Sequence, residues 1–206
     1  MRFSSNNTTA LKVTQQQYDA VSKMFLPKLI NGLPANLTYH NAEHITGVIR
    51  DTAYLMQKEG VPKEDWWLLL TAALFHDSGF TRSYQCHEDV SCEIAQEILP
   101  DFDFAPETIE AICQMIMATK LPQTPMDYYG EILCDADLFY LGTDSFLPTA
   151  ETLFREMMAV GTIKSKDDWE SKQLNFLHQH HYFTKTAKTE LEPRKKEHIL
   201  ALESQQ

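Results

Sequence analysis

From Trp66 to Phe75 the chain reads WWLLLTAALF, ten residues with no charge and only Thr71 polar. The stretch is about half of the ~20 residues that a membrane span needs. A helix apolar on every face belongs at the centre of a helical domain, surrounded by other helices. The run then stops at His76-Asp77-Ser78-Gly79, which sets an imidazole and a carboxylate at the end of the most buried element. Burying such groups is costly unless something pairs them.

The rest of the chain supplies what such a helix must pack against. Only 7 glycines and 9 prolines occur, mostly where helices would start or stop, and alternating strand-like patterns are nearly absent. The fold class is therefore expected to be all-α, a single helical bundle. A first helix is expected from Thr14 to about Ile30, with Tyr18, Val21, Phe25 and Leu29 on one face and Pro27 as a point of bending. A second runs from about Asn41 to Glu59, with His44, Val48, Thr52 and Leu55 recurring at helical spacing, so that His44 lies on the buried stripe. Further helices are expected at 87–99, 106–120, 127–141, 145–160 and 167–182, with another in the tail. No repeat or long linker divides the 206 residues, so one domain is expected over 1–206, in which 143–206 adds packing helices.

Charge narrows the function. With 18 Lys and Arg against 29 Asp and Glu, the net charge of −11 repels polyanions and argues against nucleic-acid binding. A small substrate is the better match. Arg194-Lys195-Lys196 reads as a solvated helix face. Cys86, Cys92, Cys113 and Cys134 never form a C-x-x-C pair and read as reduced core residues. The N-terminus, MRFSSNNTTALK, has no apolar h-region of a secretory signal. The expectation is a cytoplasmic protein with no membrane span.

Three separated helices each carry a metal-type side chain in apolar surroundings: His44; His76 and Asp77; and Asp137 of Cys134-Asp135-Ala136-Asp137. A lone buried histidine is usually a hydrogen-bonded core residue, and a polar pair at a helix end is often a cap. Four such groups together favour a metal. His76 and Asp77 diverge by about 100° on a regular helix, so both reach one ion only from a loosened helix end, which Gly79 permits. Two imidazoles and two carboxylates suit one divalent ion, Mn²⁺, Mg²⁺, Fe²⁺, Co²⁺ or Zn²⁺. His178, His180 and His181 are read as solvent-exposed.

YHNAEH, LFHDSG and DADLFYLG, in this order over residues 39–142, resemble the HD-domain superfamily of metal-dependent phosphohydrolases. That resemblance implies a helical bundle, with His44, His76, Asp77 and Asp137 as metal ligands and Asp135 behind them. YHNxxH is similar to the entry motif of cyclic-nucleotide phosphodiesterases, which makes His40 the implied general acid. His87 and Glu88 match a His-Glu pair that faces the phosphate or orients water, and Lys120 and Arg82 are the nearby cations most able to hold a phosphate. Phe80 stands where many members carry a lysine. The nucleotide-clamping glutamine motif of the phosphodiesterases is missing, so cyclic nucleotides are not assigned. Trp169, Gln173, Phe176 and Thr184 are expected to close one side of the pocket.

The implied activity is hydrolysis of a small phosphorylated substrate, a phosphomonoester or nucleotide, by metal-activated water. The alternatives are a regulatory domain that binds metal and nucleotide without turnover and, further off, a di-iron oxygenase. For a dinuclear site the resemblance implies two further histidines between His76-Asp77 and Asp137, where this chain offers only His87 and places Lys120 near the expected position of the other, so one metal per chain is expected. Oligomeric state stays open, a homodimer included.

Overall fold

The computed structural model describes residues 12–204, which hold ten α-helices and no strand. The N-terminal stretch read above as lacking a signal lies mostly outside the described residues. In order the helices are α1 (Gln15–Gly32), α2 (Ala42–Lys58), α3 (Trp66–Phe75), α4 (His87–Ile98), α5 (Pro106–Ala118), α6 (Tyr128–Asp137), α7 (Phe146–Ala159), α8 (Lys166–Gln179), α9 (Lys185–Glu190) and α10 (Glu192–Glu203). Among the described residues no helix is long and apolar enough to cross a membrane.

Local chemistry accounts for the boundaries. Thr14 caps α1 with a reciprocal capping box to Gln17, and the helix continues through Pro27 to Gly32. Asn41 caps α2 by accepting from the backbone N–H groups of Glu43 and His44. Asp127 and Ser165 do the same for α6 and α8. Two expected boundaries move: the 127–141 helix stops at Asp137 and gives way to a 3₁₀ turn over Phe139–Gly142, and the 167–182 helix stops at Gln179. The tail holds two helices, α9 and α10.

The apolar run forms α3, and every residue from Leu68 to Phe75 is buried. Helices α1, α2, α4, α5 and α6 pack around it. Phe75 stacks on Phe25 of α1 at 4.3 Å. Each Leu or Phe buried this completely contributes about 1.5–3 kcal/mol over exposure, so α3 organises the core by area alone.

The tail packs on this core. Tyr182 is buried and donates to the carbonyl of Leu138 at 3.2 Å, and a Cβ on Gly142 would sit 2.5 Å from the Leu191 carbonyl, so only glycine allows the approach. Two readings of surface chemistry need correction. Lys195 is 1% exposed, its Nζ held by the His180 carbonyl at 2.7 Å and Glu192 at 2.9 Å, so the basic cluster is solvated only at its neighbours. Helical spacing turns it inward while Arg194 and Lys196 face out. Cys86 is exposed, at the left-handed residue that opens α4, whereas Cys92, Cys113 and Cys134 are buried; all four are free thiols.

Candidate metal centre

Two helix ends and one helix start meet at the candidate site. Helix α3 ends at Phe75; His76 keeps helical angles, Asp77 departs to φ −107°, ψ 11°, and a 3₁₀ turn begins at Ser78. Helix α6 ends at Asp137, followed by Leu138 at φ −104°, ψ 23° and another 3₁₀ turn. Both carboxylates therefore stand at helix C-termini, where exposed carbonyls already carry partial negative charge and a cation is favoured. His44 comes from the first turn of α2, its backbone N–H fixed by Asn41.

The loosened end of α3 is tied down by α4. The backbone N–H of Gly79 donates to Ser91 Oγ at 2.8 Å. A Cβ at Gly79 would lie 2.0 Å from the His87 carbonyl oxygen. The glycine serves close approach between the turn and α4 more than conformational freedom.

Four donor atoms converge. His44 Nε2 lies 3.1 Å from Asp77 Oδ2 and 3.3 Å from Asp137 Oδ1. His76 Nε2 lies 3.2 Å from Asp77 Oδ2, 3.6 Å from Asp137 Oδ1 and 3.4 Å from His44 Nε2. His76 Nδ1 sits 2.8 Å from the Ala73 carbonyl, which can only accept, so Nδ1 carries a proton and Nε2 is the nitrogen left to serve a metal. Asp77 Oδ2 is buried without a hydrogen-bond partner. Ligands of a small divalent ion at roughly 2.1 Å and right angles are about 3.0 Å apart, close to the observed spacings. The residues fit a divalent metal: Asp77 Oδ2 lies at ion-pair distance from both imidazoles but accepts no hydrogen bond, and an ion between them would satisfy it.

The electrostatics agree. Burial alone would lower the pKa of His44, yet Asp137 and Asp77 hold it up at about 9. His76 is likewise raised well above its ordinary value, against burial, by Asp77 and Asp137. Against the desolvation that would raise them, Asp77 is held well below the usual carboxylate range by His76 and His44, and Asp137 is held at about 2 by His44 and His76. Without a cation, protons on the imidazoles balance the carboxylates; a metal would replace them.

His40 stands beside the cluster and turns away from it. Its Nδ1 contacts Oε1 of Glu156, a fully buried carboxylate from α7. Glu156 Oε2 accepts the backbone N–H groups of Tyr39 at 2.8 Å and His40 at 3.0 Å. These bonds hold the Glu156 carboxylate below its usual range despite burial. Sequence reasoning missed Glu156, whose only signal was an acid on the apolar side of a helix. Phe80 is sandwiched between the rings of His40, at 4.0 Å, and His87, at 3.9 Å. The residue at the lysine position thus spaces two imidazoles instead of contacting phosphate.

His87 Nε2 reaches Asp77 Oδ1 at 3.4 Å and Glu88 Oε1 at 3.5 Å. Against burial, Asp77 and Glu88 raise the His87 pKa. Lys120 lines the cavity mouth, but its ammonium is tied to Asp89 at 2.7 Å. Arg82 is exposed, paired with Glu97 at 2.6 Å. Asp135 accepts from the backbone N–H groups of Phe183 at 2.9 Å and Thr184 at 2.8 Å and so anchors the tail.

The tail histidines stay apart from the cluster. His178 pairs with Glu203 at the surface, and His181 is exposed. His180, expected in solvent, is half-buried, 3.2 Å from Lys195 Nζ; burial and the lysine charge push its pKa down to about 3. Two cavities open on the centre and share Tyr39, Asp137 and Tyr140. The smaller, about 310 Å³, reaches His44 past Thr149 and Thr152; the larger, about 490 Å³, reaches His40, Asp77 and His87. Trp169, Gln173 and Phe176 close the larger one, while Thr184 instead caps α9. The family model of the HD domain matches residues 41–140, whereas no curated protein and no solved structure matches the chain.

Proposed function

We propose that this chain, which belongs to the HD-domain superfamily through residues 41–140, is a metal-dependent phosphohydrolase acting on a small phosphomonoester or nucleotide. The observation that carries the reading is the convergence of His44, His76 and Asp77, with Asp137 beside both imidazoles and Asp77 Oδ2 buried among them without a hydrogen bond.

His44, His76, Asp77 and Asp137 would hold the ion. A divalent metal held there supplies Lewis acidity, lowering the pKa of a coordinated water and polarising a phosphoryl oxygen. His40 lines the larger cavity and, with its Nδ1 held by Glu156, delivers a proton to the departing alcohol oxygen. Phe80 fixes the ring plane of His40 by stacking on it. His87, backed by Glu88, faces the same cavity beside Asp77 and orients the phosphate or a water. Lys120 serves the phosphate only by exchanging its partner Asp89 for it.

The test is a screen of phosphomonoesters and nucleotides against protein loaded in turn with Mn²⁺, Mg²⁺, Co²⁺, Fe²⁺ or Zn²⁺. Release of inorganic phosphate that stops on chelation supports the reading. Absence of product with every metal, while a nucleotide raises the melting temperature, would assign the chain a binding role instead.

A further inference from the structure

The larger cavity has a chemistry of its own, away from the metal cluster. Its far wall is built by Phe146, Leu153, Met157, Trp169, Phe176 and Leu177 from α7 and α8, outside the segment that carries the ligands. Its volume, about 490 Å³, lies in the range of pockets that enclose a small organic ligand. Among the described residues two lysines and no arginine line it, and both lysines are engaged. Lys120 is held by Asp89 at 2.7 Å, and Lys172 by Asp168 at 3.2 Å and the Thr162 carbonyl at 3.2 Å. A second phosphate group would have to displace a carboxylate from either ammonium, in a chain of net charge −11. Sugar hydroxyls would face a wall that is mostly aromatic and aliphatic carbon, with Gln173 its one uncharged polar side chain on α8, and most of them would lose hydrogen bonds to water without replacement.

Resting on the phosphohydrolase reading, we propose that this cavity takes the alcohol part of the substrate and selects a singly phosphorylated ester of an apolar, ring-sized group. The phosphate lies at the His44-His76-Asp77-Asp137 end, and the apolar group lies against Trp169 and Phe176. Discrimination comes from area removed from water: each buried methylene is worth about fourfold in affinity, so a ring gains well over tenfold against a methyl group.

The experiment uses the full chain loaded with Mn²⁺ and has a binding arm and a turnover arm. Calorimetric titration with methylphosphonate, benzylphosphonate and methylenediphosphonate, none of which can be hydrolysed, is expected to show benzylphosphonate binding at least ~10-fold tighter than either other ligand. Trp169→Ala and Phe176→Ala are expected to shrink the benzyl-to-methyl ratio by about 10-fold. Turnover compares benzyl phosphate with glucose 6-phosphate, both esters of primary alcohols, so leaving-group acidity is comparable.

Equal binding of the methyl and benzyl ligands, tighter binding of the diphosphonate, or no binding of any would overturn the inference. Hydrolysis of both esters at equal kcat/KM overturns it too and leaves the phosphohydrolase reading standing. Selective benzylphosphonate binding without cleavage of any ester supports the cavity assignment and removes the phosphohydrolase reading.

Discussion

His40 and Glu156 are 116 residues apart in the chain, yet the imidazole Nδ1 rests on the Glu156 carboxylate while the other carboxylate oxygen holds the His40 backbone N–H. One buried side chain thus fixes both the main chain and the ring of the candidate general acid. Glu156→Gln keeps an acceptor for the backbone and removes the charge. It is expected to retain metal and to lose about 10- to 100-fold in kcat on benzyl phosphate, with a smaller loss on 4-nitrophenyl phosphate, whose leaving group needs no proton. His40→Ala is expected to lose roughly 10²–10⁴-fold on the same alkyl ester. Equal losses on both esters would remove the acid role from His40 and the positioning role from Glu156.

Asp77 faces His44 and His76 with one oxygen and His87 with the other. Asp77→Ala removes one of the two carboxylates that would balance the charge of the ion, leaving Asp137 and two imidazoles as ligands. Metal content and turnover are expected to fall together to background, as read by elemental analysis of purified protein and phosphate release. A variant that kept full metal would show that the ion is held elsewhere.

Gly79 tests the packing that shapes the ligand turn. The Cβ of Gly79→Ala would meet the His87 carbonyl at 2.0 Å and the Ser91 backbone nitrogen at 2.9 Å, and both are backbone atoms that yield only if α4 moves. The expected loss is about 2–4 kcal/mol of unfolding free energy in urea, with weakened metal retention because the turn that follows Asp77 is displaced with Gly79. A change below about 0.5 kcal/mol would mean that the turn does not press on α4 as the structure shows.

His180 gives a pH signature. Its pKa is pushed from 6.5 to about 3 by burial and by Lys195, so the folded protein refuses a proton that the unfolded chain accepts. Below about pH 6.5 the unfolded state binds more protons, and stability falls as pH falls toward 3. Between pH 6.5 and 5 this one group is expected to account for roughly 1.5–2 kcal/mol, which His180→Phe should remove from the pH dependence of unfolding. An unchanged slope in the variant would contradict the burial of the ring.

Periodic and covalently local features were legible in the sequence. The all-apolar α3, the helix starts near Thr14 and Asn41, and the inward register of His44 and Asp137 follow from spacing that local physics enforces. The convergence of His44, His76, Asp77 and Asp137 was readable because burying four such groups has few other solutions. Glu156 was not legible, since its partner arrives from a loop 116 residues away and no local pattern records that contact. Lys195 was misread for the same reason, because its pairing with the His180 carbonyl is tertiary. Gly79 was assigned a flexible turn, while the constraint is a neighbouring helix.

Where the metal sits decides everything downstream. His40, His178 and His180 have other partners, His181 is exposed, and His87 is the further histidine beside Asp77, which favours a single ion. Anomalous scattering at the manganese or iron edge, from crystals of protein grown with that metal, tests this most directly. One peak is expected, about 2.0–2.3 Å from His44 Nε2, His76 Nε2, Asp77 Oδ2 and Asp137 Oδ1. Two full-occupancy peaks roughly 3.5–4 Å apart would contradict the single ion and favour two-metal chemistry, and no peak among these four side chains would contradict the metal centre itself.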